Sequence, residues 1–346
     1  SGVYSHAEGN TTISSGSYSH AEGQSTIAMA IYSHTEGFRT TGSGVYSHAE
    51  GSTTISSGSF SHAEGFRTIS SGLASHAEGN VTTSSGVSSH AEGQDSLSMG
   101  NYSHAEGNST VSIGIYSHAE GDNSVSAGEN SHSEGSNTLS SGYSSHSEGA
   151  DSQSSGNHSH SEGLGARASG SHSHAEGRYT RSNGPSSHAE GQNTFAEGQS
   201  SHAEGQQTIS FGSGSHAEGF STTSSGDYSH AEGHGSDSSG DYSHAEGIGT
   251  ISSGSHSHAQ GMYNIPVTMS GSFVIGNGSS NAVRSNLLLA YGSVVEITGS
   301  LNVKDIISLA RRTTTPTGVE GMIISSGSAG ASILYYYNGN TWNALF

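Results

Sequence analysis

Histidine stands at position 6 and then at every fourteenth residue to 258, nineteen times without a break. A serine precedes each one (Ser5 to Ser257), and a glycine follows three residues on (Gly9 to Gly261). Two residues after each histidine comes Glu in eighteen cycles and Gln260 in the last. A second glycine falls ten residues after the histidine in 17 of 18 places, with Ala30 as the departure. The consensus reads Tyr-Ser-His-Ala-Glu-Gly-x-x-Thr-Ile-Ser-Ser-Gly-x. A period held this strictly means one structural unit stacked on itself, each turn covering the next.

Composition alone would point elsewhere. With 29% hydrophobic residues, 52 glycines in 346 and a formal charge of −20, the chain lies in the range of disordered proteins. It cannot bury a large aliphatic core, so repetition has to hold it together. Helical repeats run to roughly 30 residues or more, whereas each half of this unit alternates with period two. Tyr18, His20 and Glu22 fall on one side, Ser19 and Ala21 on the other; Thr26 and Ala28 share a side opposite Ile27. The small set (Ser, Ala, Thr, Ser) belongs inside a narrow roll. The expectation is all-β: a parallel β-roll or β-solenoid of 19 fourteen-residue turns, then a small β-rich C-terminal tip. At ~4.8 Å per stacked strand such a rod is roughly 90 Å long. A rod this thin calls for partner chains.

Several classes drop out. There is no cysteine, hence no disulfide or thiolate site, and no apolar run approaches the ~18 residues of a membrane span. The first residues do not read as a signal peptide; the sequence opens inside a repeat without Met, so the native N-terminus is expected upstream or removed. An acidic rod repels phosphate, which argues against nucleic acid. No phosphate loop or nucleophile elbow is present, and each Ser-His pair is adjacent on a strand with side chains facing opposite ways. The expectation is not an enzyme.

The Ser-x-Ala-x-Gly unit, as in Ser5, Ala7 and Gly9, resembles the head repeat of trimeric autotransporter adhesins, the YadA-like heads. That resemblance covers residues 1–261. It implies a left-handed parallel β-roll, three of which pack into a homotrimer. This chain has His6 and Glu8 where that family has Val and Ile, and the Ser-His-Ala-Glu-Gly version is similar to repeats in phage fibre and tail-associated proteins.

One outward column never varies: His6, Glu8, His20, Glu22, His34, Glu36 and onward. Another, seven residues after each histidine, accepts Ile13, Thr41, Arg167, Arg181, Phe195 and Asp237. The constant face, Tyr included, is expected at the trimer contact, and the variable one in water. Three cycles carry a second histidine in the Tyr place: His158 with His160, His172 with His174, and His256 with His258. Two imidazoles from each of three chains would make an octahedral nitrogen set for iron, nickel or zinc. This resembles the His-x-His iron sites of phage long tail fibre tips, which have a different, intertwined fold; the competing reading is that His merely replaces Tyr as a stacking ring. No cofactor is otherwise required. The eighteen carboxylates are expected to raise the histidine pKa values and to make the rod most stable near pH 5.5–6.

Beyond Gly261 the charge changes from net −21 (26 acids, 5 bases) to net +1 (3 acids, 4 bases). Residues 262–312 read as a β-rich transition and trimerisation region, with strands at 272–278, 286–291 and 294–297 and a strand or short amphipathic helix at 303–310. Residues 313–346 read as a linker (313–317) and a β-hairpin tip with Tyr335, Tyr336, Tyr337, an Asn-Gly turn and Trp342. This ending is similar to distal modules of virion fibre proteins. Together the resemblances imply a trimeric fibre on a virion surface. It would be joined to other virion proteins at its N-terminal end and present a tip to a host receptor such as a glycan, with no membrane insertion. The alternatives are a cellular surface adhesin or extracellular filament, and a metal- or ice-binding solenoid.

Overall fold

A computed structural model describes residues 2–302, 311–312, 323–326 and 333–344. Among them there is no helix, and the repeat region is a parallel β-solenoid. Each turn contributes a five-residue strand that begins at the histidine, such as His20–Gln24, and a two-residue strand, such as Ile27–Ala28. Successive turns pair in parallel with like on like: His6 on His20, Ala7 on Ala21, Glu8 on Glu22, Ile13 on Ile27. The long strands form one sheet and the short strands the other.

The interior is the small set expected. Ser19, Ala21, Thr26 and Ala28 are each at most 2% exposed, and their counterparts repeat this along the coil. A core so poor in carbon has to satisfy its own hydroxyls. The serines do so locally: Ser61 Oγ donates to the Gly58 carbonyl at 2.6 Å and lies 2.6 Å from Ser56 Oγ, which also reaches the Ser61 carbonyl at 2.9 Å, whereas the Oγ1 atoms of Thr26, Thr40, Thr54 and Thr68 are buried without a partner. The Thr column is fully buried from Thr26 to Thr250, as its place beside Ala28 on the inward side implies.

The corners depart from period two. Tyr18 does not extend the strand of His20; it takes φ 58°, and Ser25, at the other corner, takes 60°. Both are left-handed conformations that L-residues adopt at a cost. Bonds to the preceding turn hold them: Tyr18 N–H donates to the Val3 carbonyl (2.9 Å) and Ser25 N–H to the Asn10 carbonyl (2.8 Å). Tyr, His and Glu therefore do not share one strand face. The tyrosines form a separate corner column in which Tyr18 stacks on Tyr32 at 5.0 Å. The glycine after each Glu is obligatory: at Gly107 φ is +114°, and a Cβ would stand 2.2 Å from the Gly121 carbonyl oxygen.

The coil runs one turn past the last repeat. His258–Met262 pairs in parallel with Phe273–Asn277, placing Phe273 on His258, Val274 on Ala259, Ile275 on Gln260 and Gly276 on Gly261. Here the small interior gives way to an aliphatic one of Ala259, Val267 and Val274 with Leu289 against it. Two antiparallel strands, Asn286–Tyr291 and Val294–Ile297, follow. The first compact unit thus spans residues 1–298 and the second 299–346. In the second, Ile323–Ser326, Ile333–Tyr337 and Trp342–Ala344 pair antiparallel, with Arg311–Arg312 parallel to the first of them. Asn338 Oδ1 accepts the N–H groups of Asn340 and Thr341 at the hairpin turn, and the Tyr337 and Trp342 rings lie 5.1 Å apart. The 303–310 segment and the 313–317 linker lie outside the described residues.

Candidate functional site: the imidazole and carboxylate ladders

Parallel pairing at one strand per turn stacks every histidine on the next. From His6 to His258 the ring centroids are 4.7–5.0 Å apart, nearly coplanar-parallel except at the last step, where His258 tilts 35° and then meets Phe273 edge-on. Beside the imidazoles runs the glutamate column. His104 Nε2 lies 3.5 Å from Glu106 of its own turn, while His244 Nε2 lies 3.3 Å from Glu232 of the preceding turn. The ring nitrogens thus meet the carboxylate of their own turn from His20 to His188 and that of the preceding turn from His216 to His258. Along most of the ladder Nε2 is closed off from solvent, although the side chains keep about a third of their surface, as at His104 with 34%.

This geometry reverses the expected charge response. The pKa of His48, His62, His104, His118, His146 and His160 is lowered, first by burial against the sheet and then by the neighbouring imidazoles; nearby carboxylates pull the other way and lose. Some carboxylates of the column move the other way. Glu50, hydrogen-bonded to Glu36, is pushed up to about 7, and Glu148, hydrogen-bonded to Glu162, likewise to about 7. Their partners Glu36 and Glu162 are lowered, mainly by accepting that bond. Carboxylates stacked one turn apart cannot all ionise cheaply, so neighbours share a proton.

Metal coordination is constrained by the same spacing. Groups such as His62, Glu64 and His76 bring their ligand atoms within 4.8 Å of one another. At a Zn–N distance of ~2.0–2.1 Å, one ion spans nitrogens no more than ~4.2 Å apart. With the ligand atoms of such a group within 4.8 Å of one another, a small adjustment of the side chains brings two ladder imidazoles and a carboxylate of one chain to a single ion. The His-x-His turns do not place both rings on one strand face. His158, His172 and His256 sit in the left-handed corner column (φ 56°, 58° and 57°), where His158 stacks on His172 and His256 on Tyr242, each at 5.0 Å. His160, His174 and His258 belong to the strand ladder. As rings, the extra histidines do what tyrosine does in the corner.

A feature the sequence reading passed over lies on another edge of the coil. Arg167 and Arg181, members of the variable column, are direct cross-strand neighbours and line one cavity with Tyr179 and Phe195. Consecutive arginines in an otherwise mostly apolar column were the available signal.

No known family model matches the chain, and no curated protein matches it at a significant level. No helix among the described residues is long and apolar enough to cross a membrane.

Proposed function

We propose that the chain is the shaft and distal end of a homotrimeric fibre on a virion, most simply that of a phage, which holds a receptor-binding tip away from the particle. The observation that carries this reading is the ladder itself. One column presents His in every turn and Glu in all but the last, half-buried with the ring nitrogen closed off, while the column on the opposite sheet takes Ile, Thr, Arg, Phe and Asp in turn. A face that tolerates no exchange fits contact with copies of itself, and the shared protons and the imidazole–carboxylate pairs supply the hydrogen bonding that a desolvated polar interface requires. The exposed corner tyrosines, Tyr18, Tyr46, Tyr102 and Tyr228 among them, offer apolar surface at its margin.

The tip residues Tyr335, Tyr336, Tyr337 and Trp342 lie on the terminal hairpin and would meet the host receptor, a glycan being the chemistry that suits aromatic rings. Other virion proteins would hold the opposite end. The protein acts outside the cell, without catalysis and without a required cofactor. Where three chains converge at residues 158–174 and 256–258, one corner and one ladder imidazole per chain could hold an iron, nickel or zinc ion. A cellular adhesin or filament is the second reading, supported by the likeness of the 14-residue unit to adhesin heads.

Analytical ultracentrifugation with negative-stain imaging tests the proposal. A trimer forming thin rods of roughly 90 Å with a distinct end supports it; a monodisperse monomer at micromolar concentration overturns it.

A further inference from the structure

The rod region holds only five basic residues against 26 acidic ones, yet three of the five, Arg167, Arg178 and Arg181, fall within fifteen positions. Arg167 and Arg181 are paired directly opposite each other on adjacent short strands, an arrangement in which like charges repel. Both are exposed. Among the described residues the ion pairs are all between His and Glu, and neither guanidinium has a carboxylate partner. In a chain of formal charge −20, two adjacent arginines without a carboxylate partner amount to a local inversion of the field.

The surroundings form a receptacle. The corner position before Arg167 is Gly165 (φ +68°), so the corner column loses a side chain there, and the Tyr179 ring lies over the bare glycine: a Cβ on Gly165 would be 2.7 Å from Tyr179 Cδ1. Arg181 stacks over the Phe195 ring at 5.4 Å and Arg178 over Tyr179 at 5.3 Å, which holds the guanidinium planes against aromatic faces. Asp151 and Asn193 complete the cavity between the corner column and the short-strand column.

We propose that this cavity binds a saccharide bearing a single carboxylate, a sugar acid. Arg167 and Arg181 take the carboxylate, for which the guanidinium fork is suited. The exposed parts of Tyr179 and Phe195 pack against the C–H face of the ring, while Asp151 and Asn193 hydrogen-bond its hydroxyls. The choice of ligand follows from charge. Nucleic acids and acidic peptides carry many anions, which the surrounding carboxylates repel; a neutral sugar leaves the arginine pair unanswered. One carboxylate on an otherwise hydroxylated ring satisfies both conditions. The site is built wholly from the repeat region and depends on neither the trimer nor the virion reading.

The test is isothermal titration of the full chain with sialyllactose and with cellobiouronic acid, each bearing one carboxylate, against lactose, cellobiose and inorganic phosphate. At least one sugar acid should bind with a dissociation constant below about 1 mM, the range of a small polar ligand, and the neutral sugars should not. An R167T/R181T double variant should weaken that binding at least tenfold. It should fold, because Thr41, Thr83 and Thr223 occupy the same column, and circular dichroism checks this. R39S, altering an isolated arginine elsewhere on the coil, should bind as wild type does. Failure of both sugar acids to bind, phosphate binding as tightly as either, or unchanged affinity in the double variant would each overturn the proposal. The oligomeric state, measured separately, bears only on the fibre reading.

Discussion

His244 Nε2 lies 3.3 Å from Glu232 Oε1, a carboxylate of the turn before it rather than of its own. From His216 to His258 the imidazole column therefore ties turn to turn, and its protonation is coupled to a carboxylate column that is itself crowded. The sign of the pH response follows from the shifts. A histidine with a lowered folded pKa, such as His104 or His118, contributes stability above the unfolded value near 6.5 and loses it as pH falls toward and through the folded value. A glutamate with a raised pKa, such as Glu50 or Glu148 at about 7, contributes below its unfolded value of 4.5 and loses that as pH rises through 7. Thermal melts from pH 4.5 to 9 should accordingly peak between about pH 6 and 7 and fall on both sides. A maximum at or below pH 5.5 would mean that the carboxylate field, not burial, governs the imidazoles.

The carboxyl column can be probed separately with Glu50→Gln. An amide donates to its neighbouring carboxylates at every pH, whereas the protonated acid donates its one proton, to Glu36, only below its pKa. The variant should lose less of its melting temperature between pH 5 and 8 than the wild type, because the raised Glu50 pKa costs stability over that window, and Gln260 shows that the column admits the residue. An unchanged or steeper loss over that window would remove the shared proton from the account.

The corners predict a stabilising change. Val81 is β-branched, exposed and at φ 63°, where a branched Cβ crowds its own backbone and asparagine is tolerated. Val81→Asn should raise stability by about 1 kcal/mol, read as a higher urea midpoint at unchanged slope. A decrease would mean that the Val81 side chain packs against something the corner geometry does not reveal.

The core predicts the opposite for added volume. Ala105 is fully buried in a cross-section filled by serine and threonine, so Ala105→Leu should cost about 3 kcal/mol or break the coil at that turn. Ser61→Ala removes one donor to the Gly58 carbonyl and leaves Ser56 Oγ bonded to the Ser61 carbonyl; it should cost only about 1 kcal/mol. Comparable losses from the two would contradict a core held by close packing of small groups.

These residues also mark where sequence reasoning succeeds and stops. The period, the two strands per turn and the buried set of Ser19, Ala21, Thr26 and Ala28 followed from spacing and side-chain size alone. Tyr18 did not, because period-two counting has no term for a left-handed corner, and an exposed aromatic two residues before a strand residue looks like part of that strand. The final turn was masked by its spacing of fifteen residues, from His258 to Phe273, and by an exchange of small and polar residues for Phe, Val and Ile. The histidine shifts were missed because their sign depends on how much of each ring is buried against its neighbours. Arg167 and Arg181 were visible individually, but only the parallel register made them neighbours.

The final turn leads to a prediction about assembly. A perfect 14-residue period lets one turn substitute for another, so nothing within residues 1–261 opposes slippage by a whole turn between associating chains. The same truncation would leave the strand His258–Met262 without its Phe273–Asn277 partner, exposing a row of unpaired backbone groups at the coil's open end. Residues 262–298 remedy both: Phe273 lies edge-on over His258, Val274 and Leu289 close an aliphatic cap, and Asn286–Tyr291 pairs antiparallel so that the stack cannot continue in the same sense. A chain ending at 298 should remain uniform by multi-angle light scattering, whereas one ending at 261 should spread into mixed or end-to-end assemblies at the same concentration. If the shorter chain is as uniform as the longer, the repeats set their own register and the cap is dispensable.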